Sequence, residues 1–193
     1  MKFFLILFLA AAAMFCDVSG QTEHRPAGEI YLDPEINIAF PASISRFRKK
    51  EVIRSFNPMI GTTVRYTDPD GNCADVYIYL HPESEKKITE ESLKSHFAEV
   101  KQTILNLPSK GASVKKSELL RESGIKIFPD QKTTESISGY QAAFWISTGE
   151  NVAYISHLMI FPFKEKIIKL RMSCDEDTAA GFSMEIFKLF FPE

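Results

Sequence analysis

Residues 140–191 decide the fold: YQAAFWISTGENVAYISHLMIFPFKEKIIKLRMSCDEDTAAGFSMEIFKLFF. Three apolar runs within this segment are rich in aromatic and branched residues and are separated by turn residues, a pattern typical of strands. They are Tyr140–Ser147, Val152–Phe161 and Lys166–Ser173. After Asp175, apolar residues recur at every third or fourth position, which predicts an amphipathic helix. The segment therefore predicts a three-strand meander closed by a C-terminal helix.

A hairpin and a second helix are predicted upstream. Thr62–Thr67 and Ala74–Leu80 flank a turn rich in Asp, Pro, Gly and Asn, which favours a β-hairpin. Thr89 then precedes a second helical pattern that ends before Pro108, so Thr89 is expected to cap a helix. The apolar stripe of this helix consists of Leu93, Phe97, Val100, Ile104 and Leu107.

The remaining segments give weaker signals. Glu29–Phe40 predicts one broken strand and Glu51–Phe56 a short strand, whereas the basic run 46–50 and Pro108–Lys116 predict loops. Ser117–Phe128 fits either a short helix or a strand. Strands followed by a helix, twice in succession, predict an α+β fold. In it, a single antiparallel sheet of about six strands is packed on one face by two amphipathic helices.

The N-terminal residues 1–20 predict a secretory signal peptide. Lys2 precedes the apolar run Phe3–Phe15, and small residues end at Gly20. The run is too short to span a bilayer as a helix. We expect cleavage after Gly20, a flexible leader at 21–28 and a single domain at 29–193. The protein is thus predicted to be exported, either to the periplasm or out of the cell.

The charge balance limits the class of partner. The formal net charge is −2, which argues against bulk attraction to nucleic acid or to an anionic membrane. No other apolar run reaches the length of a transmembrane helix. The predicted partner is therefore an unidentified protein or small ligand, and the oligomeric state stays open.

The two cysteines of the predicted mature chain form a candidate disulfide. Cys73 and Cys174 remain after cleavage, and two cysteines in an oxidising compartment are more often a bridge than a site. The alternative is two separate, half-buried thiols, because a bridge requires the two Cα atoms to lie within roughly 7 Å.

No catalytic, cofactor-binding or metal-binding residue can be assigned. The turn 68–72 opens like a calcium loop, but Tyr79 stands where such a loop needs a carboxylate, so a plain turn is predicted. Ser156 and His157 are adjacent on a predicted strand. They are therefore expected to point to opposite faces, out of hydrogen-bonding reach of one another.

Two groups of residues are candidates for a partner surface. The first is basic and suits an anionic partner, although a solvated loop explains it as well. The second is aromatic and suits a ligand, although strand propensity alone also places tyrosines there. The basic group is Arg46, Arg48, Lys49 and Lys50, and the aromatic group is Tyr66, Tyr77 and Tyr79.

Five short segments resemble, in the same order, a group of uncharacterised exported bacterial proteins. They are Ile53–Phe56, Gly61–Tyr66, Asp75–Tyr79, Ser156–Met159 and Ile168–Arg171. The order of strands and helices is more distantly similar to the Mog1/PsbP-like α/β sandwich. This resemblance implies that fold and a binding or assembly role without catalysis, and it carries over no functional residue.

The sequence therefore predicts an exported, non-enzymatic binding or assembly factor. One alternative is a small exported hydrolase whose site assembles only in three dimensions, and another is an inhibitor-type protein. An enclosed polar pocket joining His157 or His96 to a hydroxyl, thiol or carboxylate would favour the hydrolase.

Overall fold

The computed structural model describes residues 22–26, 28–82, 87–110, 113–128, 136–148 and 152–192. The predicted signal peptide lies outside these described residues. Helices α1 and α2 span Glu90–Leu105 and Glu176–Phe190, and a short 3₁₀ helix spans Leu107–Lys110. The strands are β1 (Thr22–Pro26), β2 (Tyr31–Asp33), β3 (Ile38–Phe40), β4 (Ser43–Ile44), β5 (Phe47–Ser55), β6 (Thr62–Thr67), β7 (Cys73–Leu80), β8 (Val114–Ile127), β9 (Ile137–Thr148), β10 (Ala153–Phe163) and β11 (Lys166–Ser173).

Nine of these strands form one antiparallel sheet. Its order is β1-β5-β6-β7-β11-β10-β9-β8, with β4 also paired to β5, while β2 and β3 form a separate hairpin. The α+β class, the antiparallel sheet and the two helices are as predicted, but the strand number of about six was wrong. Strands β1 and β4 were missed because they are short, and β8, for which helix and strand both stayed open, is mostly exposed, so none alternates clearly between apolar and polar residues.

Strand β1 lies within the segment predicted as a leader. It pairs with residues 51–55 of β5, with His24 opposite Ile53. An edge strand leaves a row of unpaired backbone groups, and an extended neighbouring segment satisfies them. Residues 22–26 are therefore part of the sheet.

Both helices begin at the residues that the sequence indicates. The Thr89 side chain accepts a hydrogen bond from the Ser92 backbone N–H, and the Ser92 hydroxyl accepts from the Thr89 N–H, which makes a capping box. The Asp175 carboxylate accepts from the backbone N–H and the hydroxyl of Thr178 at 2.9 and 2.7 Å. Each cap satisfies backbone donors that would otherwise lack partners at the start of the helix.

The two helices pack on opposite faces of the sheet, which corrects the prediction that both cover one face. Ile167 belongs to the apolar cluster under α1, whereas Ile168, the next residue of β11, belongs to the cluster under α2. Because successive strand residues point to opposite faces, a central strand that is apolar on both sides needs cover on both sides. We call the two faces the α1 face and the α2 face.

The helices are also offset from one another along the sheet. Helix α1 packs on β8, β9 and β10, whereas α2 packs on β10 and β11 and against β3 and β4. Within α2, Phe182 packs edge-on against the rings of Phe47 and Tyr66, with centroids 5.0 and 5.6 Å away. The α2 face is therefore open over β8 and β9, and the α1 face is open over β5 and β6.

Neither helix of the described ranges is long and apolar enough to cross a membrane.

Candidate functional site

A groove of about 620 Å³ occupies the open part of the α2 face. Its floor is formed by β8, β9, β10 and the end of β11, and its wall by one side of α2. The floor includes Ile125, Ala143 and Met159, and the wall includes Ala180, Met184 and Phe187. The volume lies within the range of roughly 300–1,000 Å³ that is usual for ligand-binding clefts.

Small residues in β9 keep the floor of the groove low. Ala143 is the register partner of both Arg121 on β8 and His157 on β10. Near the other end, a Cβ atom on Gly139 would lie 2.9 Å from Cγ1 of Ile125 and 3.0 Å from the carbonyl oxygen of Ile160. A larger residue at either position would raise the floor or displace its neighbours.

One end of the groove is polar. His157 is buried, and its Nε2 donates a hydrogen bond to the Cys174 carbonyl oxygen at 3.2 Å. Burial lowers the pKa of His157 below its usual value of 6.5, so the imidazole is neutral at pH 7. Arg121 and Glu176 form an ion pair at 2.6 Å that joins β8 to the first turn of α2.

These groups suit binding better than nucleophilic catalysis. Burial raises the pKa of the Cys174 thiol to about 12, which keeps the thiol protonated. Ser156 is fully buried and lies on the opposite face from His157, because adjacent strand residues alternate. The groove thus offers an apolar floor, a neutral imidazole and an ion pair at its rim.

Comparison with known proteins gives a structural match. No family model and no curated protein match the chain. Among solved structures, the chain is similar to cyanobacterial PsbP (CyanoP) from Synechocystis sp. PCC 6803, with a TM-score of 0.50 and 14% sequence identity. The similarity covers 90% of this chain and 93% of that chain. The fold is PsbP-like. At this level of identity no individual residue can be transferred.

The PsbP-like sheet separates the three candidate tyrosines. Tyr66 is fully buried on the α2 face, and its hydroxyl donates to the Pro41 carbonyl oxygen at 3.0 Å. Tyr77 and Tyr79 lie on the α1 face, where Tyr77 is half-buried and Tyr79 is buried. Because Tyr66 is buried under α2, it cannot belong to one surface with the other two.

Tyr79 instead helps to attach α1 to the sheet. Its hydroxyl is 2.8 Å from Nε2 of His96, and the His96 ring packs edge-on against His81 with centroids 5.6 Å apart. Burial lowers the pKa of His96 to about 4 and raises that of Tyr79. The pair joins a histidine to a hydroxyl, as the hydrolase alternative requires. It is packed in the core beneath α1, however, and does not line the groove.

The basic run does not form a single patch either. Lys49 is buried and donates to the carbonyl oxygens of Phe40, at 3.2 Å, and Glu29. Arg46 forms ion pairs with Asp68, at 2.9 Å, and with Asp70. Only Arg48 and Lys50 of the four residues are exposed strand residues. Residues 47–50 are the start of β5 rather than a loop, and Arg46 lies in the turn before it.

Cys73 and Cys174 are both free thiols, so the predicted disulfide is absent from the structure. Cys73 is the register partner of Ser173, which places Cys174 one residue further along. The two cysteine side chains therefore point to opposite faces of the sheet. A disulfide needs Cβ atoms directed at one another.

The sequence predicted β9, β10 and α2 but did not indicate that a groove lies between them. Its floor depends on β8, for which helix and strand fitted equally well. A usable signal exists in α2, where Ala180, Met184 and Phe187 adjoin the predicted stripe. An apolar surface this broad indicates that the helix has two apolar contacts, one with the sheet and one with a second neighbour alongside the helix.

Proposed function

We propose that this protein is an exported, non-catalytic binding or assembly factor that holds an apolar helix of a partner protein in the groove beside α2. The single observation that carries the proposal is the groove itself, an apolar slot left open where α2 ends its cover of the sheet. The predicted signal peptide supports export. The PsbP-like fold supports an accessory role through the resemblance described above.

The lining favours apolar side chains. Met159 and Met172 line the floor, and Met184 on the wall is 60% exposed. Methionine adapts its shape to a partner and is common at surfaces that accept varied apolar side chains. An exposed Met184 next to a buried floor therefore suits a ligand that adds contacts to both.

The shape favours a helix over a small molecule. Clefts for small ligands bury about 70–90% of the ligand surface, whereas this groove has a floor of strands and a wall formed by one side of α2. The same three strands already carry a helix, α1, on their other face. A partner helix alongside α2 would complete the matching layer, and the small side chains of Ala143 and Ala180 permit its close approach.

Site-specific photocrosslinking can test this proposal in cells that express the full chain. A photoreactive phenylalanine analogue replaces Met184 in one variant and Phe56 in the other. Phe56 is the matched control, because it is 59% exposed and follows β5, away from the groove. We expect one partner to be captured at position 184 and not at position 56, through a segment with helical apolar spacing.

The captured segment is then made as a peptide and its affinity and helicity are measured with purified protein. Ala180→Glu places a charge on the groove wall and should weaken binding about tenfold or more. Gly181→Glu adds the same charge to the next residue, where a Cβ meets no atom within 4 Å, and should leave binding unchanged. Equal capture at both positions, or an equal loss in both variants, would overturn the proposal, as would a bound segment that is not helical.

A further inference from the structure

A cluster of charged side chains occupies the α1 face where α1 does not cover it. Arg65 on β6 pairs in register with Asp75 on β7, and Asp75 pairs with Arg171 on β11. Lys169 lies two residues before Arg171 and shares its face. Together with Glu51 opposite Arg65, the cluster holds three cations and two carboxylates.

Arg65 uses both carboxylates. Its Nε is 2.8 Å from Oδ1 of Asp75, and its Nη1 is 2.6 Å from Oε1 of Glu51. The other Asp75 oxygen accepts from Nη2 of Arg65 at 3.3 Å and from the Tyr77 hydroxyl at 3.1 Å. The carboxylates are thus engaged by Arg65 and Tyr77, although Asp75 faces Arg171.

Within the described ranges, neither Arg171 nor Lys169 forms an ion pair with a carboxylate. Among the described residues, the buried Nε of Arg171 has no hydrogen-bond acceptor. The Lys169 Nζ lies over the rings of Tyr77 and Tyr79, 4.0 and 5.6 Å from their centroids. Burial and the nearby Arg171 lower the pKa of Lys169 to about 8, while Asp75 acts in the opposite direction.

Two serine hydroxyls next to Arg171 are also unsatisfied. Ser156 on β10 and Ser173 on β11 are register partners, and Ser173 is two residues from Arg171 on the same face. Ser156 is fully buried, and within the described residues neither Oγ atom has a hydrogen-bond partner. Buried polar atoms nearly always have a protein or water partner, so three unpartnered ones on adjacent strands indicate a missing partner, which must be an acceptor in the case of the guanidinium Nε.

We infer that Arg171, Lys169, Ser156 and Ser173 form a binding site for a small oxyanion, a phosphate or a carboxylate. The oxygens of one such anion accept from the guanidinium Nε and from both hydroxyls, and its charge compensates the two cations. Water would satisfy the hydroxyls but would leave the charge uncompensated. Lys169, Arg171 and Ser173 are only partly buried, so the site is accessible from solvent.

Calorimetry and thermal unfolding with defined anions test this inference on the purified protein. Inorganic phosphate, sulfate and acetate are titrated against chloride at constant ionic strength. We expect saturable binding and a rise in unfolding temperature. Binding of acetate would assign a carboxylate site, and binding of phosphate or sulfate alone a tetrahedral one. With sulfate, whose own charge does not change between pH 6 and pH 8, binding should favour protonated Lys169 and therefore take up protons at pH 8 and not at pH 6.

Two variants and a control identify the residues. Arg171→Gln should weaken binding about tenfold or more, while Arg121→Gln, on the α2 face, should leave it unchanged. Ser156→Ala removes an unsatisfied hydroxyl, so it should not destabilise the anion-free protein. It should, however, reduce the rise in unfolding temperature that the anion causes. No saturable binding, or equal binding by the Arg171 and Arg121 variants, would overturn the inference. Neither result bears on the groove, which lies on the other face.

Discussion

Phe182→Ala tests the packing of α2 on the sheet. Phe182 is fully buried and packs edge-on against Phe47 and Tyr66. Truncating a buried phenylalanine typically costs about 3–5 kcal/mol through lost transfer energy and the cavity left behind. The two aromatic contacts place this site towards the upper end of that range, because each such pair adds about 0.5–1.5 kcal/mol.

A loss of this size is large for one domain. Domains of this length are typically stable by about 5–15 kcal/mol, and each kcal/mol lowers the unfolding temperature by about 2–4 °C. We therefore expect Phe182→Ala to lower that temperature by roughly 6–20 °C. Urea unfolding followed by circular dichroism should show a lower midpoint with an unchanged slope.

Met184→Ala is the matched control on the same helix. Met184 is 60% exposed, so its truncation should change the free energy of unfolding by no more than about 0.5 kcal/mol. If both variants shift the midpoint by similar small amounts, α2 is not docked on the sheet through Phe182. A changed slope would instead mean that the variant alters the unfolded or native state as a whole.

Three further predictions concern the rest of the sheet. Gly61→Ala should lower the free energy of unfolding by about 2–5 kcal/mol, because Gly61 has φ +66° and a Cβ there would lie 1.9 Å from the Ile78 carbonyl oxygen. Gly71→Ala is the control: Gly71 has φ +86° but open space around it, so this variant should lose only about 1 kcal/mol in the same urea assay. Equal losses in the two variants would contradict the prediction. His96 has a pKa of about 4 in the folded protein against 6.5 in the unfolded chain. Its contribution to the free energy of unfolding is therefore fully present above pH 6.5 and declines as the pH falls towards 4. The stability difference between wild type and His96→Gln should shrink across that window, and a constant difference would refute the lowered pKa of His96. Asp75→Asn removes the main counter-charge of Arg65 and should lower the free energy of unfolding by about 3 kcal/mol. An unchanged unfolding temperature would show that Glu51 alone is enough to compensate the charge of Arg65.

The helices and the central strands could be predicted because each has a repeating apolar pattern. The alternation over residues 169–173 of β11 and the three-four spacing in α2 both arise because one face is buried and the other is not. The first strand of the predicted C-terminal meander begins at Ile137 rather than Tyr140, a difference of the size expected at element ends.

The edge strands and the candidate site could not be predicted because they lack such a repeating apolar pattern. Most of β8 is exposed on both sides, and its pairing with β9 shifts register twice, between Val114 and Lys116 and between Leu119 and Arg121. Each bulge breaks the two-residue period, so no single pattern runs through the strand. The start of β5 carries Lys49 with its side chain buried, which no hydropathy pattern indicates.

The two proposed sites are built on the same two strands, β10 and β11, from side chains that alternate between the two faces of the sheet. His157 and Met172 line the groove, while their chain neighbours Ser156 and Arg171 belong to the oxyanion cluster. Inserting or deleting one residue in either strand would exchange the two sets of side chains between the faces. Substitutions can therefore alter one site at a time, but any change of length in these strands must alter both.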